Sequence, residues 1–519
     1  MQRLFEKRLF DWKKSGMKKP LMVVGARQIG KTYTALKFAK ENFEEYLYFN
    51  LEKNIDVRNI FEKSIDDERI ISDIELYLGK KIDIEKTIFF FDEVQVSESF
   101  IVSLKYFNES EKPYKIICAG SLLGVKLNRF KGSFPVGKIR MEYMYPMNFE
   151  EFLIATGNEM LRDKIKECYK EMSPMPDFAH EQAITLYKQY LCVGGMPEAV
   201  NNFIENELDI LRFDSHIISD IKDMYIADMQ KYVKNSFETV KIEKVYKNIP
   251  SQLAKDNKNF KYNFVEETGR KRKYESSIDW LVASKMILIN YNAKRMEIPL
   301  KVYIDENTFK LYLSDVGILT NMSEIKFPDI MLDNTFIYKG AITENYVAQE
   351  LTSKEESLYY WTSKRSAEID FILYSEEDGI IPIEVKSGNN VRSVSLNMYI
   401  NEYKPKYAIR FSTRNFGFEN NIKSIPLYAV CRKTFYEKYF FDTNPFGDEN
   451  VSEYIKEHPY ITFNKLYGVN SLNEYGDKYG VYIDYGYGHT IKDIGDNLVE
   501  IKFQTRWDYP IYAIKKAVE

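Results

Sequence analysis

The chain has 519 residues, 45% of them hydrophobic and 29% charged. That is too long for a single core and asks for roughly three or four domains. A formal net charge of only -4 gives no whole-chain field that draws nucleic acid or membrane, so any such contact has to come from a local patch.

The first segment, "MQRLFEKRLFDWKKSG", sets Leu4, Phe5, Leu9, Phe10 and Trp12 among charges. It reads as an amphipathic helix and not as a signal segment. No stretch approaches the run of about 18 apolar residues that spans a bilayer, so no membrane association is expected. Cys118, Cys168, Cys192 and Cys431 form no Cys-x-x-Cys pair, and the histidines are scattered. Neither a disulfide framework nor a structural zinc site is indicated, and a reducing cytoplasm is the expected setting.

Residues 1–147 alternate strands and helices. "PLMVVG", "YLYFNL", "TIFFFDE" and "YKIICAGS" are short apolar runs of the kind that become buried parallel strands. "SFIVSLKYFNES" places Phe100, Ile101, Leu104 and Phe107 on one helical face. Residues 148–235 read as a helical lid, interrupted at "SPMPDF" and at the tight turn "VGGMPEA". Residues 236–335 run helix, turn, helix and strand pair, the order of a winged helix, with a hairpin expected around Glu306 and Asn307. Residues 336–430 give helix, three strands, helix and strand. Residues 431–519, rich in Tyr-Gly turns, read as a β-rich appendage. The fold class is α/β.

The first strand runs into "GARQIGKT", which fits G-x-x-x-x-G-K-[ST] between a strand and a helix. Backbone N–H groups of Gly25, Ala26, Arg27, Gln28, Ile29 and Gly30, followed by Lys31, Thr32 and Tyr33, are the expected phosphate cradle. Lys31 would meet the β- and γ-phosphates of ATP, and the Thr32 hydroxyl would ligate Mg²⁺. "FFFDE" ends a strand in Asp92, a second Mg²⁺ holder, and Glu93, a general base for the attacking water. Ser121 tips the next strand beside the γ-phosphate. Taken singly, Asp92 and Glu93 also suit an ordinary strand-end turn, and Ser121 a helix N-cap.

"GARQIGKT", "FNLEKN", "FFDEVQ", "GSLLGV", "YPMNFEEFL" and "GGMPEAV" together resemble bacterial and archaeal AAA-like ATPases. In these an N-terminal ATPase precedes a winged helix and a C-terminal domain of unassigned function. "GAITENYVAQEL", "AEIDFIL" and "IPIEVKSG" extend the resemblance to about residue 430. Relatives often carry Gly-Arg after the sensor strand, whereas this chain reads "SFPVGKIR" with Lys138 there. Arg27, Arg129 and Arg140 remain as arginine-finger candidates, and a neighbouring subunit of an oligomer is another source.

The resemblance implies a restriction-endonuclease-like α/β domain over 336–430, with catalytic Asp370, Glu384 and Lys386. Strand alternation sets Glu384 and Lys386 on one face, and a hairpin would bring Asp370 to the same point. Asp370 and Glu384 would then hold Mg²⁺, with Glu344 as the extra acid. The competing reading is a solvated Glu-x-Lys charge pair on a non-cleaving scaffold. Arg270, Lys271, Arg272 and Lys273 precede a helix and are the candidate DNA contact; a solvated turn fits them equally. The tail tyrosines Tyr475, Tyr479, Tyr482, Tyr485 and Tyr487 suit base stacking, or a half-buried sheet face. The expected function is an ATPase whose nucleotide state controls a DNA-associated nuclease-like domain. The alternative is an ATP-dependent conformational switch with a non-cleaving nuclease fold.

Overall fold

A computed structural model describes residues 1–121, 134–135, 137–233, 236–332, 338–363, 367–388 and 393–432, with the strands His489–Gly495 and Leu498–Phe503. The finger candidate Arg129 and the five tail tyrosines lie outside the described residues. The chain divides into two units, Met1–Lys433 and Thr434–Glu519. In the second, the described part is one antiparallel pair formed by the two late strands.

The first sheet holds β1 (Leu21–Val24), β2 (Glu45–Asn50), β3 (Thr87–Asp92), β4 (Lys115–Gly120) and β5 (Arg140–Tyr143), all parallel, in the order β2-β3-β4-β1-β5. The four apolar runs become β1 to β4. The fifth strand, "RMEY", was not expected: it is half-buried at the sheet edge and carries no apolar run to announce it. Helices α1 (Glu6–Lys14), α2 (Lys31–Asn42), α3 (Ile55–Lys63), α4 (Asp67–Leu78) and α5 (Glu98–Glu109) accompany this sheet. Phe91 and Phe100 meet with ring centroids 4.8 Å apart, and Phe61 joins Phe100 at 4.9 Å. Each such buried ring contributes about 2 kcal/mol.

Five helices follow: α6 (Phe149–Ala155), α7 (Glu159–Glu171), α8 (Asp177–Val193), α9 (Pro197–Glu205) and α10 (His216–Tyr232). Asn148 and Glu151 close a reciprocal capping box on α6. Between α8 and α9, Gly194 has φ +75°, and a Cβ there would stand 2.3 Å from Asp315 Oδ1. Only glycine fits.

Next come α11 (Ser236–Leu253), α12 (Tyr262–Val265), α13 (Lys271–Ala283), β6 (Ile287–Ala293) and β7 (Ile304–Leu313). The hairpin expected at Glu306 and Asn307 is absent. Those residues lie within β7, and the turn falls earlier, between β6 and β7, with a register shift after Tyr291. The strand pair is also not a separate wing. After α14 (Val316–Met322), α15 (Phe327–Met331) and α16 (Lys339–Ser353) the chain forms β8 (Tyr359–Thr362), which pairs with β6. With β9 (Glu368–Ser375), β10 (Gly379–Val385), α17 (Val394–Tyr403), β11 (Ala408–Ser412), β12 (Gly417–Glu419) and β13 (Ile422–Pro426), one sheet runs β12-β13-β11-β10-β9-β8-β6-β7. No helix among the described residues is long and apolar enough to cross a membrane.

Candidate functional site

The order of the first sheet sets β1 between β4 and β5, with β3 beyond β4, so the loops after β1, β3 and β4 share one edge. Ligands of open parallel sheets gather at such carboxyl ends. Gly30 takes φ +89° as α2 begins, and a Cβ on Gly25 would stand 2.3 Å from the Met144 carbonyl. Both glycines are therefore required by the loop's shape.

Lys31 is buried, and its Nζ donates to the carbonyls of Gly25 (3.0 Å) and Ala26 (2.6 Å). Burial lowers its pKa to about 8, opposed by the Glu93 and Asp92 carboxylates. Thr32 Oγ1 donates to Asp92 Oδ2 at 2.7 Å. Asp92 Oδ1 accepts from the Glu93 N–H at 2.9 Å, and burial raises this acid's pKa against the Thr32 hydrogen bond. Glu93 has φ +53°, an uncommon conformation for a non-glycine residue. Its Oε2 accepts from Ser121 Oγ at 3.3 Å and from Gln95 Nε2. Lys31, Thr32, Asp92, Glu93 and Ser121 thus come together. Tyr33 turns outward, 56% exposed, its hydroxyl 3.1 Å from the terminal amine.

Several groups here gave no signal in the sequence. Tyr48 Oη donates to Asp92 at 3.3 Å. Arg3 is buried, and its Nη1 donates to the Ile29 carbonyl at 2.6 Å, Nη2 to the Tyr145 carbonyl at 2.7 Å and Nε to Glu151 at 3.0 Å. Arg27 binds Asp228 on α10. The other described finger candidate, Arg140, meets Glu142 through Nε at 2.7 Å, and Lys138, which stands where relatives often have the arginine, meets Glu109 at 2.8 Å.

Residues 17–153 match the family described as AAA domain. The chain carries an AAA-type P-loop ATPase domain. Beyond the AAA domain, residues 184–329 and 339–430 match two domains of unknown function, DUF8612 and DUF4143. No curated protein matches the sequence. Among solved structures, a Walker-type ATPase of Pyrococcus abyssi shares 14% identity over 62% of this chain and 95% of its own, with a TM-score of 0.38. The ORC2 protein of Aeropyrum pernix, in ADPNP–ADP complexes, shares 11% over 63% and 92%, at 0.32. Drosophila ORC bound to DNA shares 11% over 63% and 85%, at 0.25.

In the second sheet, β9 and β10 form the expected hairpin, and the pair Ile383 and Phe371 sets Asp370 across from Glu384. The acids then diverge. Asp370 Oδ2 accepts from the Val385 N–H at 2.7 Å. Glu344 on α16 is taken by Lys258, with Tyr312 Oη at 3.3 Å and Lys310 Nζ at 3.8 Å. Lys310 is fully buried, also binds Glu368, and lies 5.0 Å from the Tyr360 ring centre. Burial and Glu344 push the Asp370 pKa up to about 7, while Lys258 and Lys310 outweigh burial and hold Glu344 low.

Glu384 is buried, its Oε1 3.1 Å from Lys386 Nζ, and its Oε2 has no hydrogen-bond partner. Among the described residues no three His, Cys, Asp or Glu side chains are grouped to hold a metal ion. The set Glu344, Asp370 and Glu384 does not fit a divalent cation as it stands, because Lys258 and Lys310 hold Glu344, Lys386 holds one oxygen of Glu384, and Asp370 turns an oxygen to the Val385 N–H.

The basic run at α13 is partly internal. Lys273 meets both Glu266 oxygens at 2.7 Å, and Lys271 donates to Asn307 at 2.8 Å. Arg270 and Arg272 are exposed, with the acids Glu275 and Asp279 exposed on the same helix.

Proposed function

We propose that this protein binds and slowly hydrolyses ATP at the AAA domain and uses the nucleotide state to change conformation. The observation that carries the reading is the convergence of Lys31, Thr32, Asp92, Glu93 and Ser121 at one sheet edge. The Lys31 ammonium, held by two loop carbonyls, exchanges them for the β- and γ-phosphate oxygens, which bind a cation more strongly. Thr32 and Asp92 offer a hydroxyl and a carboxylate side by side, a donor set that suits Mg²⁺; when bound, the ion neutralises phosphate charge. Glu93 takes the proton of the attacking water, its carboxylate steadied by Ser121 and Gln95. Lys31→Ala should abolish Mg²⁺-dependent phosphate release from ATP. A variant that hydrolyses ATP at the wild-type rate contradicts the proposal.

The committed lysines around Glu344 favour a non-cleaving switch, in which residues 236–430 dock a partner. One observation supports a second reading, a nucleotide-gated DNA nuclease: the buried, unpartnered Oε2 of Glu384 beside Lys386. Incubation of plasmid and single-stranded DNA with Mg²⁺ or Mn²⁺, with and without ATP, separates the two. Cuts that vanish in Glu384→Ala and in Lys386→Ala establish the nuclease. Intact DNA alongside active ATP hydrolysis leaves the switch.

A further inference from the structure

Arg27 stands third in the phosphate loop, and one face of α10 rests on it. The Tyr225 hydroxyl donates to the Arg27 carbonyl at 3.1 Å, Gln28 Nε2 lies 3.0 Å from Met224 Sδ, and the Arg27 guanidinium donates to Asp228 Oδ1. Asp228 is 1% exposed, and its second oxygen has no hydrogen-bond partner. Burial raises its pKa, and Arg27 acts in the opposite direction. Both residues lie within electrostatic reach of the Lys31 ammonium: Arg27 depresses its pKa and Asp228 raises it.

A buried carboxylate is therefore fixed beside a site whose ligand brings several negative charges. Without Arg27 that arrangement is costly in both states. A guanidinium fork suits a phosphate as well as a carboxylate, so the incoming ligand competes for the group that neutralises Asp228.

We propose that Asp228 is the resting partner of Arg27, and that the terminal phosphate of a nucleoside triphosphate takes the guanidinium from it, so that α10 senses the loaded site. Asp228 is a positioning residue acting through Arg27. When Arg27 turns to the phosphate, Asp228 loses its neutralising partner and faces added negative charge, and α10 shifts away from the loop. A diphosphate, lacking the terminal group, leaves the pair closed. The ligand thereby has the differential interaction with two states that a switch needs. From α10 the motion reaches α11 and α14, against which α10 packs.

This inference rests on the ATP reading above, and the test keeps the two apart. ATP and ADP affinities are measured by calorimetry on the full chain, and hydrogen exchange of 216–232 is followed with each nucleotide. In the wild type, exchange over α10 should rise with ATP and not with ADP. Asp228→Asn removes the charge and keeps the shape; it should tighten ATP by about tenfold, a typical coupling, and ADP by much less. Arg27→Ala should erase the ATP-over-ADP preference and the exchange response, and Arg27→Lys should restore part of the preference without the fork. Wild-type protein that binds neither nucleotide overturns the ATP reading itself. Wild-type binding, with selectivity and exchange unchanged in Asp228→Asn and Arg27→Ala, overturns the Arg27–Asp228 switch alone.

Discussion

Replacing Glu350 with glutamine should remove a large pH dependence of stability. Glu350 lies on α16 and is fully buried; it accepts from the Phe149 N–H at 2.8 Å, and its other oxygen has no hydrogen-bond partner. Burial pushes its pKa from 4.5 to about 8, against the pull of the Phe149 N–H and Lys354, while Glu151 and Glu150 add to the rise. The folded value is the higher one. Below the unfolded value both states hold the proton, and the position's full contribution is present. As pH rises towards the folded value, the unfolded chain releases its proton while the folded chain keeps it, so stability falls. At 1.36 kcal/mol per pH unit, the interval between pH about 5.5 and about 8 corresponds to at most about 3 kcal/mol. Glutamine keeps the acceptor and cannot ionise. Urea unfolding of wild type and Glu350→Gln at these two pH values should show the wild type losing about 2 to 3 kcal/mol more than the variant. Equal losses in both proteins would refute the reasoning, since every other titrating group is shared.

A Cβ on Gly195 would stand 2.0 Å from the Met147 carbonyl oxygen and 2.9 Å from the Tyr190 hydroxyl. Gly195→Ala should therefore cost about 3 kcal/mol or more in thermal unfolding. Gly340, in α16 with nothing within 4 Å of its added Cβ, should gain about 0.5 to 1 kcal/mol on the same change. Lys310→Met leaves Glu344, Glu368 and Asp370 short of a buried cation and should cost about 3 to 5 kcal/mol in denaturant unfolding. The loss should grow above pH about 7, where Asp370 ionises; a loss independent of pH contradicts the assigned cluster.

The grouping of Lys31, Thr32, Asp92, Glu93 and Ser121 was legible because its parts are local. The loop, the strand end at Asp92 and Glu93, and the strand tip at Ser121 each announce themselves through a short apolar run followed by a polar turn. Strand β5 escaped because "RMEY" has no such run. Asp228 and Arg3 escaped for a different reason: they reach the loop across 201 and 26 positions, and a lone Asp on a helix or a lone Arg near the start has no pattern. The acidic hairpin shows the opposite failure. Alternation correctly set Asp370 opposite Glu384, yet the lysines that neutralise Glu344 come from positions 86 and 34 residues before it. Periodicity reports which face a side chain takes and not what waits there. The break expected near 335 likewise ignored the pairing of β6 with β8, a contact that only the folded chain brings about.

The central claim, that Glu93 and the phosphate loop form a working ATP hydrolase, is tested most directly by Glu93→Gln. Removing the base while keeping size and the Ser121 contact should leave ATP affinity within about threefold and lower turnover by about 10² to 10⁴. Turnover unchanged from wild type, with ATP bound equally well, would contradict the account.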